Sequence, residues 1–510
     1  MKKIIICIVL LSFMLWFGCE LPTPTPEKIT LTPEQLQNSF LRKVVAIGNS
    51  LTAGYQSSGL VRSFQENSYP YLIAKQMGIS WRFAMPWIEE PGIGSTELSD
   101  TNYVAGPLRM TPTGPAVVDS TLADQVEELL SNAKLPRPYD NLAVPGADLN
   151  DVLNTKISIT NPFFRIVLRN PELGNLTMLE QALLLNPSLI LLWIGNNDVL
   201  GAAIDGGDLT QITSQEDFQT RLETILSTIR EKSSAQIVMA NIPYVTDIPY
   251  VNALDGIFMD FGQLGKLPVV FDENFQPVDF DPDTAAGAVL YLPLKMEETG
   301  VAHLLLPYLT AYKKGIGVPD SAFIADFLIQ LGVDAAVAAV QAGQIVQGMI
   351  ASGLNPTGIP IPGNLSLTAD ETQSIRDAVD GFNNIINTLA QTYQVPIVDA
   401  NTMLTTLNTS GIDGYTGKYV LFDLENTAFS LDGVHPNNGG YALIANEFIE
   451  VINKSFGQAI GLEIPPVNTA QFKGQYLKEL QGYSGKIRIT EAAERALEGV
   501  KHLFVKGDTK

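Results

Sequence analysis

Cysteine is almost missing from this chain. Its 510 residues include two, Cys7 and Cys19, both within the first twenty positions. The body after Cys19 has no disulfide to form, so its stability must come from its core. Histidine is scarce as well: His303, His435 and His502 are the whole supply. With no cysteine beside them they offer no zinc-binding cluster. Positive charge is short: 32 Lys and Arg stand against 54 Asp and Glu, for a formal charge of -22. A phosphate backbone needs a basic footprint, which argues against nucleic acid as a partner. After the first twenty residues no apolar run reaches transmembrane length without polar interruption. A Gly-x-Ser-x-Gly elbow and a phosphate-binding P-loop are both lacking.

The chain is 45% hydrophobic, ample for a large core. Its opening, "MKKIIICIVLLSFMLWFGCE", reads as a targeting segment. Lys2 and Lys3 precede an apolar stretch from Ile4 to Phe17, and Gly18-Cys19 then leads into the Pro/Thr linker "LPTPTPEK". This resembles a bacterial lipoprotein signal, in which the cysteine is lipidated and becomes the mature N-terminus. An ordinary secretory signal with an incidental cysteine is the alternative. Either way the expectation is export to the cell envelope or beyond, with the lipid on Cys19 as a membrane anchor.

Five short apolar runs recur along the chain: "KVVAIG" from Lys43, "NLAVPG" from Asn141, "LILLWIG" from Leu189, "QIVMANIP" from Gln236 and "VPIVDA" from Val395. Runs of this length that are apolar on both faces suit central strands of a parallel sheet. Helical stripes lie between them. Phe218, Leu222, Ile225 and Ile229 form one, with Thr213 and Glu216 as its expected capping box. Ile375, Val379, Phe382, Ile386, Leu389 and Tyr393 form a second, with Thr368 and Glu371 as its box. Tyr441, Ala445, Phe448 and Ile452 form a third. Strands alternating with helices predict a doubly wound α/β domain. Residues 249–362 break the rhythm and read as a mostly helical insertion, either a lid over the cleft or a subdomain that only packs. The expected organisation is a signal over 1–19, a linker and lead-in over 20–40, a catalytic domain over 41–455 containing that insertion, and a C-terminal extension over 456–510. The tail "ITEAAERALEGVKHLFVK" has the pattern of an amphipathic helix.

In open α/β sheets ligands bind beyond the carboxyl ends of the strands. Ser50, in "VVAIGNSLTAGY", stands at such an end and opens the next helix. A hydroxyl is a poor nucleophile without a base in hydrogen-bond reach. His435, in "FSLDGVHPNNGGY", occupies a Gly/Pro/Asn loop just before a helix, and Asp432 precedes it by three residues. In a tight loop that spacing lets the carboxylate hold the imidazole in one tautomer. Acyl transfer also needs donors for a developing oxyanion. Gly146, in "NLAVPGADLND", allows close approach of its backbone N–H. The asparagines of "LLWIGNNDVLG" carry side-chain amides.

Four strand ends thus deliver Ser, Gly, Asn and His in that order. The chain resembles the SGNH, or GDSL-type, hydrolase family in "GNSLTAG", "NLAVPGADLNDV", "IGNNDV" and "DGVHPN". The resemblance implies a three-layer α/β/α sandwich, flavodoxin-like, with a mainly parallel five-stranded sheet. It implies a serine ester hydrolase with Ser50 as nucleophile, His435 as base and Asp432 as its orienting acid. Ser50, Gly146 and Asn197 would form the oxyanion hole; the choice of Asn197 over Asn196 follows the family's Gly-x-Asn-Asp pattern, and Asp198 would shape the loop. No cofactor and no metal are implied. One departure is Asn49, where the family usually has Asp before the serine. An esterase or lipase is the expected activity, with a polysaccharide O-acetylesterase or a non-catalytic surface binding lipoprotein as alternatives.

Overall fold

The computed structural model describes residues 39–94, 103–111, 114–258, 265–267, 270–271, 277–278, 291–480 and 504. Cys19, the signal and most of the expected C-terminal helix lie outside the described residues.

At the centre is a parallel sheet of four strands: β1 (Val44–Gly48), β2 (Leu189–Trp193), β3 (Gln236–Ala240) and β4 (Ile397–Val398), hydrogen-bonded in that order. Val44 pairs with Leu189, Leu189 with Gln236, and Ile397 with Met239. The expected strand at Asn141 is reduced to one parallel bridge, Ala46 to Asn141, on the free side of β1. The backbone still follows β1 there: Leu142 donates to Ala46 at 3.0 Å and Val144 to Gly48 at 3.2 Å. The side chain of Asn141 bonds locally on the other side of the run. Its Oδ1 takes the N–H of Ala143, and its Nδ2 donates to the Thr52 carbonyl.

The helices that position the site are α1 (Ser50–Ala53), α2 (Tyr69–Gln76), α3 (Asn197–Ile204), α4 (Gln215–Lys232), α5 (Ala369–Tyr393), α6 (Ala400–Thr409) and α7 (Asn438–Ile452). Side chains alternate across each strand and sort into two cores. Val44, Ala46, Leu191 and Val238 face Tyr69 and Ile73 of α2 and Tyr441 and Phe448 of α7. Val45, Ile47, Ile190 and Ile237 face Phe218 and Ile225 of α4 and Val379 and Phe382 of α5. Phe218 and Phe382 stack with ring centroids 4.0 Å apart and planes 7° from parallel. Helix, sheet and helix therefore form three layers, with β1 and β2 buried on both faces along their whole length, as the unbroken apolar runs require.

The boxes differ from expectation in one case. Thr368 and Glu371 do cap α5 reciprocally. At α4 the cap is Ser214, whose Oγ accepts from the N–H of Asp217, not Thr213 with Glu216. One residue of shift lets the Ser214 carbonyl begin the helix, accepting from Phe218.

The segment 249–362 is more mixed than a helical insertion. It includes helices Ser321–Gln330 and Ala335–Ala351, and also a strand, Val301–Leu304, paired antiparallel with Ser366–Thr368. That pairing joins segments far apart in sequence, so no local turn signal announces it. His303 lies on this strand, where its Nδ1 is 2.8 Å from Oδ2 of Asp255.

Candidate functional site

Gly48 ends β1 because no side chain fits there: a Cβ would meet the Thr52 side chain and the Trp193 carbonyl. The chain then turns sharply into α1. Asn49 is its N-cap, accepting the N–H of Leu51 on Oδ1 at 3.1 Å. Ser50, the first helical residue, is thereby lifted to the carboxyl edge of the sheet.

His435 reaches the same point from the loop before α7. Its Nε2 lies 2.9 Å from Oγ of Ser50, and its Nδ1 lies 3.0 Å from Oδ2 of Asp432. With Nδ1 donating to the carboxylate, Nε2 is left to accept the serine proton. Asp432 accepts four further bonds, from the backbone N–H of Ser58, Val434 and His435 and from the hydroxyl of Ser430. Burial alone would raise its pKa. The charge and hydrogen bonds of His435, joined by the Ser58 amide, outweigh burial and hold the carboxyl below its usual range. Ser50, His435 and Asp432 are all buried.

The loop that carries His435 and Asp432 is fastened from behind. Gly433 adopts φ +70°, and a Cβ there would press on Leu306 at 2.9 Å. Its carbonyl accepts from the N–H of Tyr250 at 2.8 Å, and the Tyr250 carbonyl accepts from Leu306 at 2.8 Å. Tyr250 and Leu306 belong to the 249–362 segment. None of its described residues lines the cavity beside Ser50.

Asn197 begins α3 and lines that cavity; its Nδ2 donates to the Ala147 carbonyl at 2.8 Å. Asp198 accepts from the N–H of Leu149 at 3.1 Å. Together they tie α3 to the loop of Gly146, which has φ +82°. Gly146 itself is not among the residues lining the cavity.

Sequence reasoning missed several neighbours. Asn196 accepts from Nδ2 of Asn49 at 3.2 Å, while its own Nδ2 is buried without a hydrogen-bond partner. Ser57 and Ser58, both at left-handed φ, turn successive N–H groups toward Ser430 and Asp432. The only trace in sequence is the small polar run "QSSG". Tyr55 lays its ring 4.8 Å from that of His435.

The cavity lies beside Ser50 and His435. It opens among the strand ends and is walled by Ile248 after β3, Met403, Leu404 and Leu407 of α6, and Leu443 of α7. Asn49, Ser50, Asn196, Asn197 and His435 give it its polar side chains; Trp193 spends its N–H on the Asn241 carbonyl, and every other lining side chain is apolar. Among the described residues no group of three or more His, Cys, Asp or Glu could hold a metal ion, and no helix is long and apolar enough to cross a membrane.

A parallel α/β sheet with a serine, a histidine and an aspartate hydrogen-bonded in series at its carboxyl edge defines a class of hydrolase-like folds. The chain belongs to the GDSL-like lipase/acylhydrolase family: the family model matches residues 44–270 and 332–448, more than half of its length. The unmatched residues 271–331 fall inside the segment that breaks the strand–helix rhythm. Membership places the chain among ester hydrolases in general. No curated protein matches it.

Proposed function

We propose that the protein hydrolyses carboxylic esters whose acyl part is apolar, as an esterase or lipase. The observation that carries this reading is the Ser50–His435–Asp432 series opening directly onto an apolar cavity. His435 takes the Ser50 proton as Oγ attacks the carbonyl carbon. The Asp432 carboxylate stabilises the imidazolium that forms. The second N–H of the Asn197 amide and the backbone N–H of Ser50 receive the oxyanion, with the N–H of Gly146, which stands outside the cavity lining, as the third expected donor. His435 returns the proton to the leaving alcohol, a water then attacks the acyl-enzyme with His435 as base, and the acid departs. The chemistry needs neither cofactor nor metal.

The acyl chain lies along α6 and α7, where burial of each methylene contributes roughly 0.8 kcal/mol. A sugar acetate would leave that apolar wall unused. The N-terminal pattern ending in Cys19 supports a lipid-anchored envelope protein.

The deciding experiment is a p-nitrophenyl ester series from acetyl to dodecanoyl on the chain lacking residues 1–19. A kcat/KM that climbs with acyl length supports the reading, and Ser50→Ala is expected to abolish both hydrolysis and fluorophosphonate labelling. An acetyl-only profile would favour the polysaccharide O-acetylesterase. Full activity in Ser50→Ala would overturn the mechanism.

A further inference from the structure

Phe504 lies outside the residues matched by the family, yet it touches the site. Its ring centroid is 5.2 Å from that of His435 and 6.1 Å from that of Tyr55. Tyr55 in turn lies 4.8 Å from His435. The three rings are buried and mutually tilted, at 44°, 85° and 57°. Ser50 and His435 line the apolar cavity, but neither Tyr55 nor Phe504 does. The two aromatic rings pack against the imidazole while standing outside the lining of that cavity. The Phe504 carbonyl also lies close against α3, where a Cβ added to Gly201 would stand 3.2 Å from it. Glycine at 201 leaves room for that approach.

We infer that Phe504 is a positioning residue for His435. This rests on the proposed reading of His435 as base. Two physical effects follow from the geometry. The imidazole must keep Nε2 aimed at Ser50 and then at the leaving oxygen, and small errors of placement at such a step are costly in rate. The imidazole also becomes a cation as each tetrahedral intermediate forms. An aromatic ring within about 6 Å of a cation in a water-poor site stabilises it. Phe504 supplies both effects without touching substrate, so it acts on turnover and not on affinity.

The test uses the full chain after signal removal, with Phe504→Ala, Phe504→Leu and Phe504→Tyr assayed on p-nitrophenyl butyrate. Phe504→Ala is expected to lower kcat roughly tenfold with KM within about twofold, an effect of cation–π size. Ser50 phosphonylation by a fluorophosphonate should slow in parallel. Phe504→Tyr should restore nearly all of the rate and Phe504→Leu only part, because leucine fills space but has no π face. Thermal unfolding checks that each variant is folded; if Phe504→Ala is not, the gap between Phe504→Leu and Phe504→Tyr decides. Unchanged kcat in folded Phe504→Ala, a rise in either rate, or full rescue by leucine overturns the inference. An inactive wild-type chain overturns the reading of the site and this inference with it. An active wild type indifferent to residue 504 overturns the inference alone.

Discussion

Asp432 grips His435 at two points: Oδ2 accepts from the ring Nδ1 at 3.0 Å, and Oδ1 accepts from the backbone N–H of the same residue at 2.9 Å. One carboxylate thus fixes both the ring's tautomer and the loop that presents it. Asp432→Asn keeps the shape but puts an amide where an acceptor is needed. Loss of roughly 10⁴-fold in kcat is expected, by the logic of any serine–histidine–aspartate relay. Steady-state kinetics on p-nitrophenyl butyrate check it, and a loss under tenfold would contradict the assigned role.

The same carboxyl makes stability depend on pH. Its pKa is lower in the folded chain than in the unfolded one, despite burial, because of His435 and the Ser58 amide. Folding therefore favours the ionised form. The stabilisation is complete above the unfolded value near pH 4 and is lost as pH falls through the folded pKa. Urea unfolding of wild type and Asp432→Asn should show a gap that is constant from pH 7 to about 5 and narrows toward pH 3.

Asn49 stands where the family usually has aspartate, and its contacts predict that aspartate would also fit. Oδ1 caps α1 and Nδ2 donates to Oδ1 of Asn196. In Asn49→Asp the acceptor on Asn196 would face an acceptor. Turning the Asn196 amide over brings its otherwise unpartnered Nδ2 to the new carboxylate. Activity within about threefold of wild type is expected, whereas Asn49→Leu should cost roughly 1–2 kcal/mol through the lost cap. Denaturant midpoints separate the two variants.

Leu404 on α6 lines the cavity. Leu404→Trp should shorten the acyl space and lower kcat/KM for octanoyl esters at least tenfold while leaving acetyl esters within about twofold, since lost methylene burial acts only on the long chain. Equal losses on both esters would argue that the chain binds elsewhere.

The stacked pair of Phe218 and Phe382 holds α4 to α5 behind the sheet. Phe218→Ala should destabilise the fold by about 3–5 kcal/mol, read from urea unfolding, with little change in KM for the protein that remains folded.

How legible was all this in the sequence? β1, β2 and β3 could be read because their residues are buried on both faces and end at Gly, Asn or Ala turns. The Asn141 run looked equally strand-like and does follow β1 through Leu142 and Val144, but on its outer side Asn141 takes the Ala143 N–H and only one bridge forms. β4 keeps only Ile397–Val398 because Pro396 lacks an N–H to donate and α6 begins almost at once, capped by Asp399. The meeting of Ser50, Asp432 and His435 could be anticipated because the chemistry of each demands a partner, although Asp432 and His435 come from the loop between α6 and α7 and not from a strand end. The Asn49–Asn196 contact, the serine N–H pair at 57 and 58 and the Phe504 ring were not legible. Each depends on orientation or on a distant segment, and no periodicity encodes either. The strand Val301–Leu304 was hidden for the same reason.

Ser50 and His435 are 385 positions apart. A ribosome must deliver most of the polymer before the Ser50 hydroxyl can meet the His435 imidazole, so a prematurely terminated product lacks the pair. Synthesis order itself therefore sets when the pair can first form.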